Sequence, residues 1–235
     1  AIRFELPLAM DGATPVTVGA DEPVAATLAD GVRLEQLHDD RYAVGAQVEG
    51  HAPGWVSAGD VTLACADFWQ LYPKAIGAQD RTLYVDICPD FPDGRYDDCT
   101  ERELYKLYYY LQGGVYKVRQ GVSKIHDLWV HVGDGDGDTL AALAGEPPLL
   151  AAPPSWYADS GVFGDFVPQT LGRTPRYDDV CDRVLRGYEG SIESGSMYGM
   201  LNFGDLWGER GANWSNGEYD HHHSAAQLFV RARDF

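Results

Sequence analysis

Positive charge is what this chain has least of. Against 36 acidic residues stand 18 basic ones, for a net charge of −18. Lysine occurs only at Lys74, Lys106, Lys117 and Lys124, so arginine carries most of the positive charge. Such a surface repels nucleic acid and anionic membranes, which removes both from the expected partners. An anionic polysaccharide is also repelled at long range, but a few local Arg, Lys and His side chains can reverse the sign inside a cleft.

Long apolar runs are missing as well. No stretch of eighteen apolar residues occurs, so no membrane-spanning helix is expected. The N-terminal residues do not read as a charged-then-apolar leader ending in small residues. The four cysteines, Cys65, Cys88, Cys99 and Cys181, have no metal-binding spacing. Cys88 and Cys99 flank a Pro-Asp-Gly loop and could be bridged, with separate buried thiols as the alternative. No internal repeat, phosphate loop or Ser/Cys nucleophile elbow is found.

What is present is enough to fold. Hydrophobic residues make up 45% of 235, sufficient for one large domain or two ordinary ones. From Ala1 to about His131 short β-type runs are separated by Gly, Asp and Pro turns. Ile2–Leu6, Val16–Val18, Tyr42–Val48, Val61–Phe68, Thr82–Ile87 and Val115–Val118 are such runs. Their spacing near ten residues, without an intervening helical period, predicts an antiparallel β-sandwich. The Tyr-rich run Leu104–Leu111 is read as a further strand ending at Gly113-Gly114.

The run Gly133–Asp138 resembles a calcium loop, but Glu146 falls out of ligand register, so an acidic linker is the reading. Beyond it the period changes. Asp138–Leu143 suggests a turn or two of helix. Over Asp178–Ile192, Val180, Val184, Tyr188 and Ile192 recur every four residues, and His222–Arg233 reads as another helix. The expected division is a β-sandwich over residues 1–132, an acidic and Pro-rich linker over 133–155, and a helical domain over 156–235.

The densest chemistry lies in Tyr198–His223, where acids, amides, an arginine, imidazoles and aromatic rings are broken by glycines. Sugar sites need this mixture, because rings stack on the apolar face of a pyranose while carboxylates and amides take its hydroxyls. The part FGDLWGERGANWSNGEYDHHH, residues 203–223, resembles the signature of the exo-acting rhamnogalacturonan lyase and YetA-like family. Upstream, DFWQLYPKAI (67–76), LYVDICPDFP (83–92) and LYYYLQGGVYKVRQGVSKIHDLWV (107–130) are similar to that family's central sandwich. The resemblance runs from about Val61 to Phe235. Ser215 stands where the family usually has Gly, and Leu206 precedes the Trp where Asp is commoner.

The resemblance implies a fold, β then α, with an antiparallel β-sandwich followed by the first helices of an α/α toroid. It also implies a fragment of a larger chain, since a full toroid cannot fit into about a hundred residues. The activity it implies is β-elimination on a rhamnogalacturonan-type uronate polymer from a chain end. The enzyme would be secreted, periplasmic or cell-surface. Its partners would be an acidic polysaccharide or oligosaccharide and other segments of the same parent protein.

Such a lyase must neutralise the uronate carboxylate, remove the adjacent proton and protonate the leaving oxygen. Tyr219 and His223 are the candidate acid and base, four residues apart and so on one face if both are helical. Arg210, Asn213 and Asn216 are candidates to hold the carboxylate. Asp205 and Glu218 would accept sugar hydroxyls, and Trp207 and Trp214 would stack. No metal site is assigned, because the contiguous histidines 221–223 lack the His-Glu-x-x-His spacing. No cofactor is required, although calcium could help neutralise a uronate. Two alternatives stay open: a glycoside hydrolase using Asp205 and Glu218, and a non-catalytic carbohydrate-binding or surface-assembly module.

Overall fold

A computed structural model describes residues 1–97, 111–118, 120–202, 206–208, 211–213 and 220–232; for 206–208, 211–213 and 221 the description is of the backbone. The chain divides into two compact units. One comprises Ala1–Pro147 with Tyr198–Asn202, the other Pro148–Met197 with Phe203–Phe235.

The first unit is a β-sandwich-like body. Its strands are β1 (Ile2–Pro7), β2 (Pro15–Val18), β3 (Val24–Thr27), β4 (Val32–His38), β5 (Arg41–Val44), β6 (Ala46–Glu49), β7 (Trp55–Ala58), β8 (Val61–Cys65), β9 (Lys74–Gln79), β10 (Thr82–Cys88) and β11 (Leu128–Val132). They form two antiparallel sheets, ordered β1-β10-β9-β4-β5-β6 and β11-β8-β7-β2-β3. The period-two alternation explains the core. Leu34, Ile76, Ala78, Leu83 and Val85 from the first sheet share a buried cluster with Val16, Val18, Val56, Ala58, Leu63 and Cys65 from the second.

Residues 115–118, expected as a strand, are irregular, and Val115 and Val118 are more than half exposed. A β-branched run becomes a strand only where it finds a partner and a buried face. The expected strand over 104–111 lies outside the described residues apart from Leu111.

Helix α1 (Gly137–Gly145) completes this unit. The acidic run before it supplies its cap: Asp136 Oδ2 accepts the Thr139 backbone N–H at 2.9 Å. The helix docks on Trp55. A Cβ at Gly137 would lie 2.2 Å from the indole, and Trp55 Nε1 donates to Asp138 Oδ1 at 2.6 Å. Part of the run read as a linker is thus the first turn of a helix packed against β7 and β8.

The second unit holds α2 (Pro154–Ser160), a 3₁₀ turn (Gln169–Leu171), α3 (Pro175–Gly195), a two-stranded ribbon of β12 (Leu206–Gly208) and β13 (Gly211–Asn213), and α4 (His221–Ala232). The Asp178–Ile192 periodicity does form a helix. Its apolar stripe is not buried, however, for Val180 and Val184 are 45% and 60% exposed. The buried residue on α3 is Asp178, paired with Arg231 of α4 at 2.6 Å.

Candidate functional site

The most complete site among the described residues is a cleft on the sandwich, in the loop between β8 and β9. That loop is the Asp67–Pro73 part of the DFWQLYPKAI run. Asp67 adopts a left-handed backbone conformation (φ 49°) and Tyr72-Pro73 is a cis peptide. Asp67, Phe68, Trp69 and Gln70 line a cavity of about 470 Å³. Its opposite wall is α1, through Asp138, Ala141 and Glu146. An aromatic wall, one amide and three carboxylates meet there, and none of the described lining residues is cationic.

Trp69 is held by rings. His51 stacks on it in parallel, centroids 3.8 Å apart, and Tyr198 meets it edge-on at 4.7 Å. Backbone bonds fix the Tyr198 segment to the loop: Gly199 N–H donates to Gln70 O at 2.7 Å and Met200 N–H to Tyr72 O at 2.8 Å. The opening residues of the Tyr198–His223 stretch are therefore part of the sandwich unit and rest on the cleft's tryptophan.

Beneath the cleft lies Lys74, fully buried. Its Nζ donates to Ala66 O at 3.3 Å, Asp67 O at 3.4 Å and Cys65 Sγ at 3.4 Å. Burial holds the amine below its ordinary range, against the opposing pull of Cys65. Burial also pushes the Cys65 thiol up, so this cleft-lining cysteine is a poor nucleophile. Cys65, Cys88 and Cys181 are free thiols, so Cys88 is not bridged; Cys99 lies outside the described residues.

One group among the described residues could hold a cation. His38, Asp39 and Asp40, at the β4–β5 turn, place their ligand atoms within 4.8 Å of one another. His38 Nδ1 contacts Asp39 Oδ1 and lies 3.1 Å from Asp40 Oδ1, and its ring stacks on Tyr72. The same geometry serves as an ion pair when the ring is protonated.

The residues singled out from sequence fare differently. Trp207 lies in β12 and Asn213 in β13, whose backbone register pairs Trp207 with Ala212 and Leu206 with Asn213. His223 sits exposed in the first turn of α4. Asp205, Arg210, Trp214, Asn216, Glu218 and Tyr219 lie outside the described residues, so their expected convergence with His223 is not described. Helix α4 begins at His221, and Asp220 before it has a left-handed φ of 52°.

The Trp69 cleft is not among the sites expected from the sequence. The available signal was the unusual polar–aromatic order Asp-Phe-Trp-Gln at a strand end. No protein-family model matches this chain, and no curated protein sequence matches it.

Proposed function

We propose that this protein binds a polysaccharide and cleaves it by β-elimination, as a lyase acting from a chain end on a rhamnogalacturonan-type uronate polymer. The observation that carries the glycan part is the Trp69 cleft: an indole wall, the Gln70 amide and the carboxylates of Asp67, Asp138 and Glu146. Carboxylates and amides accept sugar hydroxyls, and an indole takes the C–H face of a pyranose. Because its described lining lacks a cation, this cleft suits a neutral sugar of such a polymer. The uronate then falls to the 203–223 run.

In that run Arg210, with Asn213 and Asn216, neutralises the uronate carboxylate, making the adjacent C–H acidic. Tyr219 and His223 exchange the protons: one takes the proton beside the carboxylate, the other gives one to the departing oxygen. Asp205 and Glu218 hold neighbouring hydroxyls, and Trp207 and Trp214 supply stacking surfaces. The exposure of His223 on α4 supports a group able to trade protons with a ligand. The same reading takes the helices of the second unit as the opening of an α/α toroid, and an exported protein as their setting. Calcium remains an optional aid to carboxylate neutralisation.

The products separate elimination from hydrolysis. With rhamnogalacturonan I oligosaccharides, elimination yields fragments whose masses sum to that of the parent. Products carrying one added water would instead indicate the Asp205/Glu218 hydrolase. A non-catalytic carbohydrate-binding module is the second reading, favoured by the completeness of the Trp69 cleft without any residue of the 203–223 run; binding with no products would establish it.

A further inference from the structure

The second unit has a cavity of its own. On α4, Gln227, Val230 and Arg231 follow i, i+3, i+4 spacing and so share one face. With Phe163, Asp165, Thr174 and Tyr177 from the preceding segments they line a cavity of about 330 Å³, near the lower end for small-molecule sites.

Arg231 is a fixed part of this wall, with only 10% of its side chain exposed. Its Nε donates to Val167 O at 2.9 Å, and its Nη2 donates to Thr174 Oγ1 at 3.2 Å and Asp178 Oδ1 at 2.6 Å. The guanidinium lies over the Tyr177 ring, 5.1 Å from its centroid. Among the described residues no acceptor engages Nη1, and Arg231 is part of the cavity wall. Phe163 and Tyr177, 43% and 57% exposed, offer ring faces. Gln227 can donate and accept, and Asp165 can accept.

Charge selects the ligand. Arg231 and Asp178 neutralise each other, Asp165 adds a negative charge, and the C-terminal end of α4 adds a partial one. A uronate carboxylate is therefore disfavoured here, whereas a neutral ring with hydroxyls and an apolar face meets each group.

We propose that this cavity is a binding site for a neutral pyranose, separate from the Trp69 cleft. The assignment does not depend on the reaction proposed above, because it uses none of that reaction's residues.

The test is a titration of the full chain with methyl α-rhamnoside and, separately, galacturonate, followed through the NMR signals of the Gln227 side-chain amide and the Arg231 Nε–H. The proposal expects saturable shifts with the neutral glycoside and weaker binding of galacturonate. Phe163→Ala and Asp165→Asn should each weaken the neutral sugar by about fivefold. Arg231 is left intact because it holds the unit together. Absence of saturable shifts, tighter binding of galacturonate, or unchanged affinity in both variants would overturn it. Trp69→Ala should leave these shifts in place. If that variant abolished them, the signal would belong to the sandwich cleft, and this site would fall while glycan binding stood.

Discussion

The imidazole of His51 lies flat on the indole of Trp69, centroids 3.8 Å apart and planes 2° from parallel. His51 is exposed and Trp69 half-buried, so this stack stands where a ligand can reach it. Tyr198 braces the same indole from another side. Three rings from distant parts of the chain thus build one platform beside Gln70 and the cleft carboxylates.

The platform gives the first prediction. Trp69→Ala should weaken binding of a neutral oligosaccharide at least tenfold, about 1.4 kcal/mol, by isothermal titration calorimetry. His51→Ala should leave binding within about threefold, since a small polar ring contributes less stacking area. Equal losses in both variants would show that the stack, rather than the indole, is what the sugar meets.

A second prediction concerns the sandwich edge. Asp86, almost fully buried, accepts Arg3 Nε at 2.6 Å and Arg33 Nη1 at 2.5 Å. Burial alone would raise its carboxyl, but hydrogen bonds from Arg3 and Arg33 outweigh it and hold the group below the usual range. Asp86→Ala removes the shared acceptor of two arginines that join β1, β10 and β4. We expect a loss of about 2–3 kcal/mol in denaturant unfolding, below the full cost of breaking a buried pair because both arginines are partly exposed.

Helix α1 offers a third. A methyl group at position 137 would overlap the Trp55 ring, so Gly137→Ala should destabilise the first unit by about 1–3 kcal/mol. Intrinsic propensity alone would favour alanine. A more stable Gly137→Ala protein would show that α1 does not dock as described.

The fourth concerns pH. Desolvation, with help from Lys74 and Lys124, lowers His126 to about 4; its Nδ1 is buried, with no hydrogen-bond partner among the described residues. The unfolded chain, at an ordinary value near 6.5, binds the proton more readily than the folded one. This contribution to stability is present above about pH 6.5 and is lost as pH falls toward 4. Thermal unfolding should show a decline over that window that is reduced in His126→Gln. An identical decline in both proteins would exclude His126 as its source.

Much of the sandwich was legible because its core is built from alternation. Val16 and Val18, or Leu83 and Val85, point inward at period two, and turn residues mark their ends. Residues 115–118 misled because β-branched composition says nothing about whether a partner strand is near. The stripe Val180–Val184 was legible as a helix but not as exposed, since periodicity identifies a face and not what covers it. At the site, the Tyr198–His223 run was conspicuous by composition. The Trp69 cleft was not, because it brings together His51, Trp69, Glu146 and Tyr198, separated by up to 147 residues, through loop and helix packing that no local pattern encodes.

Elimination on a uronate polymer leaves a 4,5-unsaturated uronate, so the decisive measurement is ultraviolet absorbance during incubation with rhamnogalacturonan I. A steady rise is expected with the wild-type chain, reduced at least a hundredfold in His223→Ala and in Tyr219→Phe, as for loss of a proton-transfer group. Reducing sugar released without any rise in absorbance would contradict the proposed elimination.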